Sequence, residues 1–194
     1  MSEPEDFPEP SLNKAIVLSF LLFFSMLLIG WVGAQYHPDV GEQFMSLFQK
    51  EVAGEIAGGS PVDVCSKIFL NNLEACVLLF LGGASFGIVT IFIMSLNGIV
   101  IGAIMELVQK SHSPAFVAAA ILPHGIFEIP GFVIAGALGI VFSQALVSEY
   151  YGSGDAAGTG TGLARLFLLA VIPLIAVAAC VEAFITPHVI QMVV

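Results

Sequence analysis

Residues 15–34 run for twenty positions without a charged side chain. As a helix such a run rises 1.5 Å per residue and spans about 30 Å, the thickness of a bilayer's hydrocarbon core. In lipid every backbone N–H and C=O must find a partner inside the protein, so a crossing segment of this kind has to be helical. Further charge-poor stretches follow at 68–94, 98–109, 114–142 and 163–186. Charged residues make up only 10% of the chain, where a soluble domain carries about 25%. The expected class is therefore all-α: a polytopic helix bundle with five hydrophobic segments, multi-pass in the cell membrane, with the bilayer as its first partner. A formal charge of −10 argues against nucleic acid, which needs basic patches.

The chain is expected to divide into an acidic, proline-rich, disordered tail at 1–13 and a single membrane domain at 14–194. Trp31 and Tyr36 lie where an aromatic belt would put them. Between the first two spans, Val40, Phe44, Leu47, Phe48, Val52 and Ile56 recur at helical spacing among polar residues, which predicts an amphipathic interfacial helix over 39–57. Gly58-Gly59-Ser60-Pro61 reads as its end. Within 68–94, Gly83-Ala-Ser-Phe-Gly87 permits close helix approach, inside the chain or in a homodimer. Asn97-Gly98 reads as a tight turn, which leaves 98–109 as a short, half-spanning piece. Ser113-Pro114 reads as the start of the next helix. That segment is too long for one straight crossing, and Pro123, Gly125, Pro130 and Gly131 predict a break near its centre. Residues 148–162, rich in Gly, Ser and Thr, read as an aqueous loop, and Thr186-Pro187 as the end of the last span. Cys65, Cys76 and Cys180 are scattered singly and read as small packing residues.

The polar residues inside these spans are the functional candidates, because ionisable groups at membrane depth are expensive and face a protein interior or a wet cavity. From Ala115 to Phe142 only His124 and Glu128 can ionise, and four residues apart they share a helical face. Counting rise from the segment ends puts His124 about 15 Å deep, Glu74 about 9 Å and Glu182 about 6 Å from the same side, with Glu106 close to it. Asn71, Asn72 and Asn97 add neutral polar groups. Three readings fit this gathering of acids around a histidine. His124, Glu128 and Glu182 suit zinc or another divalent ion. Buried carboxylates can share protons in a relay. Lys67 and Lys110 can also neutralise the acids as structural glue. On straight helices Glu182 lies about 9 Å shallower than His124, so a shared ion requires the fourth segment to be broken.

No catalytic constellation is complete. His124-Gly-Ile-Phe-Glu128 lacks the second histidine and the adjacent glutamate of the His-Glu-x-x-His zinc helix. There is no Gly-x-Ser-x-Gly elbow, Walker A loop or dinucleotide fingerprint, so the reading leans away from an enzyme. Lys14 and Arg165 on one side against Lys50, Lys67 and Lys110 on the other make the latter side the expected cytoplasmic one.

Phe69-Leu-Asn-Asn-Leu73, Gly82-Gly83, Leu96-Asn-Gly-Ile99, Leu122-Pro-His-Gly-Ile-Phe-Glu128 and Val181-Glu-Ala-Phe-Ile-Thr-Pro187 occur in that order. The pattern resembles the stage II sporulation protein M family of integral membrane proteins, over roughly residues 14–187. The resemblance implies a helical membrane protein and singles out Asn71, Asn72, Asn97, His124, Glu128 and Glu182. The family's namesake acts with partner proteins during engulfment of the spore, which implies a non-catalytic membrane scaffold or assembly subunit with membrane-protein partners. Because the family also has members in archaea and in bacteria that make no spores, the sporulation role does not carry over automatically.

Overall fold

A computed structural model describes residues 11–48 and 60–193. The predicted tail lies outside these residues except at its last three positions, and so does the second half of the predicted interfacial helix. Among the described residues there is no strand, and five helices are long and apolar enough to cross a membrane.

The first, α1 (Leu12–Tyr36), begins after an extended Ser11 and contains the predicted 15–34 run. Its buried face is built of small residues, with Ala15, Ser19, Gly30 and Ala34 around Phe23. The large apolar side chains Val17, Leu18, Leu21, Leu28 and Ile29 are more than half exposed. Small inside and large outside is the arrangement of a helix that packs closely on protein and shows its bulk to lipid. A shorter α2 (Pro38–Phe48) follows.

The second span, α3 (Pro61–Leu81), begins seven residues earlier than the hydropathy suggests. Ser60 and Asp63 form a reciprocal capping box and Pro61 fills the first turn, so Ser60-Pro61 starts a helix; the expected end of the interfacial helix before it lies outside the described residues. The charges of Asp63 and Lys67 had displaced the apparent boundary. The chain reverses at 82–87, not at Asn97-Gly98. Gly82–Ser85 is a 3-10 turn, then Phe86 (φ 55°) and Gly87 (φ 83°) adopt the left-handed conformation. Ser85 and Thr90 hydroxyls donate to the carbonyls of Gly82 and Leu79. Gly83-Ala-Ser-Phe-Gly87 is thus a turn, and a Cβ on Gly83 would run into the backbone of Gly139.

The third span, α4 (Ile88–Ser111), is a continuous helix of 24 residues, long enough at about 36 Å to cross fully. Asn97 donates to its own helix at the Ile93 carbonyl. Gly98 is buried against α1, where a Cβ would come within 2.8 Å of the Phe23 carbonyl oxygen. Asn-Gly favours turns because of what both residues allow, and packing against α1 uses the missing side chain instead.

The fourth, α5 (Pro114–Tyr150), starts at the expected Ser113 cap and runs unbroken for 37 residues. Pro123 is half-buried and Pro130 exposed, so both rings lie away from the tightest packing. Residues 131–141 are buried except for the half-exposed Ile134, which makes α5 the central helix. Ser19 on α1 donates to its Val133 carbonyl at 2.9 Å. The predicted loop at 148–162 shrinks to 151–155, because Asp155 caps the next helix through the Gly158 N–H.

The last rod runs from Ala156 to Gln191. It consists of α6 (Ala156–Leu166), a π turn (Phe167–Val171), α7 (Ile172–Cys180), a second π turn (Val181–Ile185) and α8 (Thr186–Gln191). Each π turn ends two residues before a proline, at Pro173 and Pro187. A proline offers no N–H and crowds the carbonyl one turn back. The wider turn accommodates both, and the helix passes Pro187 rather than stopping there.

Candidate functional site

Three elements meet around His124. It and Glu128 project from one face of α5, as their spacing requires. Glu182 comes from the second π turn of the last rod. The side-chain nitrogens and carboxylate oxygens of these three residues include one ligand atom each lying within 4.8 Å of one another. Asn72, buried on α3, hydrogen-bonds to Glu128 through its side chain, and Asn71 reaches toward Asn72 at 3.5 Å. His124 Nδ1 is buried without a hydrogen-bond partner.

These groups form the polar end of a cavity of about 340 Å³, walled by apolar side chains of α3, α4 and α5, among them Ile68, Ile101, Met105 and Ile121. Among the described residues lining it there is no Lys or Arg. Lys110, proposed as a neutraliser, pairs with Glu106 at 3.5 Å. Two carboxylates facing each other away from water cannot both stay charged unless something positive sits beside them, either a metal ion or a proton, shared between them or carried by His124. A neutral imidazole nitrogen without a partner is a ligand for the former.

The unbroken α5 overturns the expectation that Glu182 could reach His124 only across a broken helix. The depth count used the wrong origin. Measured from the 151–155 turn that joins the two antiparallel rods, His124 lies 26 residues before Tyr150 and Glu182 lies 26 residues after Ala156. Equal arms put them level. Counting from the far ends failed because α5 and the last rod both extend beyond a 30 Å core.

Other predicted polar residues go elsewhere. Glu74 is exposed on α3 and does not line the cavity. Asn97 is spent on its own helix. Glu106 is buried between α1 and α4, where its carboxylate accepts from Trp31 Nε1, Gln35 Nε2 and Gln109 Nε2 and pairs with Lys110. Trp31 therefore turns its indole N–H inward to Glu106. Two close approaches were not anticipated. Gly98 and Gly102 on α4 press against α1, a Gly-x-x-x-Gly pattern hidden by the reading of Asn97-Gly98 as a turn. Cys65 and Cys180 come together at 3.4 Å between their sulfurs, which nothing in their spacing signals.

The family model described as Stage II sporulation protein M matches residues 19–187, a range that contains every residue of the cavity's polar end. An uncharacterized protein of Methanocaldococcus jannaschii is 27% identical over 145 residues, which is 72% of this chain and 64% of that protein. A second uncharacterized protein of the same organism is 24% identical over 178 residues, covering 90% of this chain and 94% of its own length. This chain thus spans just under two thirds of the first relative and nearly all of the second. No solved structure matches.

Proposed function

The chain belongs to the stage II sporulation protein M family, a multi-pass membrane protein by its five spans, and from that premise we propose that it holds a divalent metal ion between His124, Glu128 and Glu182. The observation that carries this reading is the convergence of one imidazole and two carboxylates within 4.8 Å in an apolar cavity, with His124 Nδ1 buried and unpartnered. Mixed N and O donors suit zinc first among the common ions. Three protein ligands leave a fourth position for water or for a molecule entering the cavity, which is the pattern of a working site rather than a closed structural one. Bound there, the ion would supply Lewis acidity and a water that ionises near neutral pH. The chain's own part is to fix the ligands, with Asn72 orienting Glu128 from α3.

The second reading is a non-catalytic scaffold or assembly subunit, in which the same centre ties helices together. What favours it is that α5 and the last rod supply the ligands and α3 their support, so one ion would clamp three elements.

Metal analysis of the protein purified without a histidine tag tests the common premise. The expectation is one divalent ion per chain, lost in a folded Glu182→Gln protein. Absence of metal from the folded wild type contradicts it. Cobalt substitution then separates the two readings. A visible spectrum that shifts on adding a hydroxamate with an alkyl tail favours an open, reactive site, and an unresponsive spectrum with unfolding on chelation favours the clamp.

A further inference from the structure

Cys65 and Cys180 are 115 residues apart in sequence and on different helices, yet their sulfurs stand 3.4 Å apart. Cys65 is in the opening turns of α3, between the exposed Asp63 and Lys67. Cys180 is the last residue of α7, directly before the π turn that holds Glu182, and it is exposed. Cys76 is fully buried deeper in α3 and takes no part.

We propose that Cys65 and Cys180 are a dithiol that closes reversibly to a disulfide, pinning α3 to the last rod beside Glu182. Three conditions for closure are met together. The sulfurs need to approach by only about 1.4 Å to reach bonding distance. One thiol is exposed on the outer surface of its span, where a membrane-permeant disulfide can reach it. The third thiol is too buried to compete. A pair serving only as packing would need neither the mutual contact nor the exposure.

The chemistry is thiol–disulfide exchange with a small disulfide, R–S–S–R. The Cys180 thiolate attacks one sulfur, the S–S bond breaks and one R–S⁻ leaves. The Cys65 thiolate then attacks Cys180 Sγ in the mixed disulfide and expels the second R–S⁻. The protein gives up two electrons to R–S–S–R, and the two thiol protons end on the two released thiols. Excess R–SH reverses both steps.

The test treats the full chain with dithiodipyridine and then removes the excess. The expected result is an intact mass lower by two hydrogen atoms and a single thiol still open to alkylation after unfolding. After tryptic cleavage at Lys110, the Cys65 and Cys180 fragments should stay joined until a reductant is added. Cys76→Ala keeps the pair, so its fragments should also stay joined, with no thiol left to alkylate. Cys65→Ser and Cys180→Ser should each leave the fragments separate. Stable pyridyl adducts on both thiols, unchanged mass, or a link through Cys76 would each overturn the proposal.

Discussion

At the scale of single residues, His124 Nδ1 is the buried side-chain nitrogen left without a partner among the described residues. An unsatisfied buried polar atom costs about 1–3 kcal/mol, so a bound ion there gains the ligand bond and removes that cost. Asn72 acts on the ion only through Glu128, and outer partners of this kind are worth about 10- to 100-fold in metal affinity. Asn72→Ala is therefore expected to weaken zinc binding by that factor in a competition titration with a chromophoric chelator, without unfolding the protein. Protons compete with the metal for all three ligands. Acidification should accordingly release the ion before the helices melt, measured as metal retained on the protein across a pH series. Glu106 gives the contrasting case, a buried carboxylate already saturated by protein donors. Trp31→Phe keeps an aromatic ring, though a smaller one, and removes one donor. It should lower stability by about 1–3 kcal/mol and leave the metal content unchanged.

Between elements, the closest contact joins α1 and α4, where glycines let the two backbones touch. A Cβ on Gly102 would collide with the Leu27 carbonyl, whereas one on Gly33 would meet nothing within 4 Å. Alanine has the better helix propensity at both sites, by about 0.5–1 kcal/mol. Gly33→Ala should thus raise thermal stability slightly, while Gly102→Ala should lower it by about 1–3 kcal/mol through overpacking. Opposite signs from one chemical change would locate the contact. This pair also marks what could be read in the sequence. The first span, the Ser113-Pro114 start and the shared face of His124 and Glu128 depend on local spacing, and each holds. The turn did not, because Gly82-Gly83 and Asn97-Gly98 offer the same local signal and only packing against α5 and α1 decides between them. Pro123 and Pro130 misled similarly: a proline's cost to a helix is local, and burial of ten of the following eleven residues outweighs it. The proximity of Cys65 and Cys180 is wholly tertiary and has no local signature.

Over the whole molecule, the five rods place successive turns on alternate faces of the bilayer. His112, between α4 and α5, and Ser153, between α5 and the last rod, should therefore face opposite compartments. Cysteines placed at these positions in a background without the native thiols should react with an impermeant maleimide from opposite sides of sealed vesicles. The same architecture brings His124 and Glu182 level, because equal arms run back from the 151–155 turn, and this register would let one ion reach both. X-ray absorption at the zinc edge tests it most directly on zinc-loaded protein. Only nitrogen and oxygen neighbours are expected, at about 2.0–2.2 Å, with one imidazole among them. Sulfur neighbours at about 2.3 Å would place the ion at Cys65 and Cys180 instead, and would contradict it.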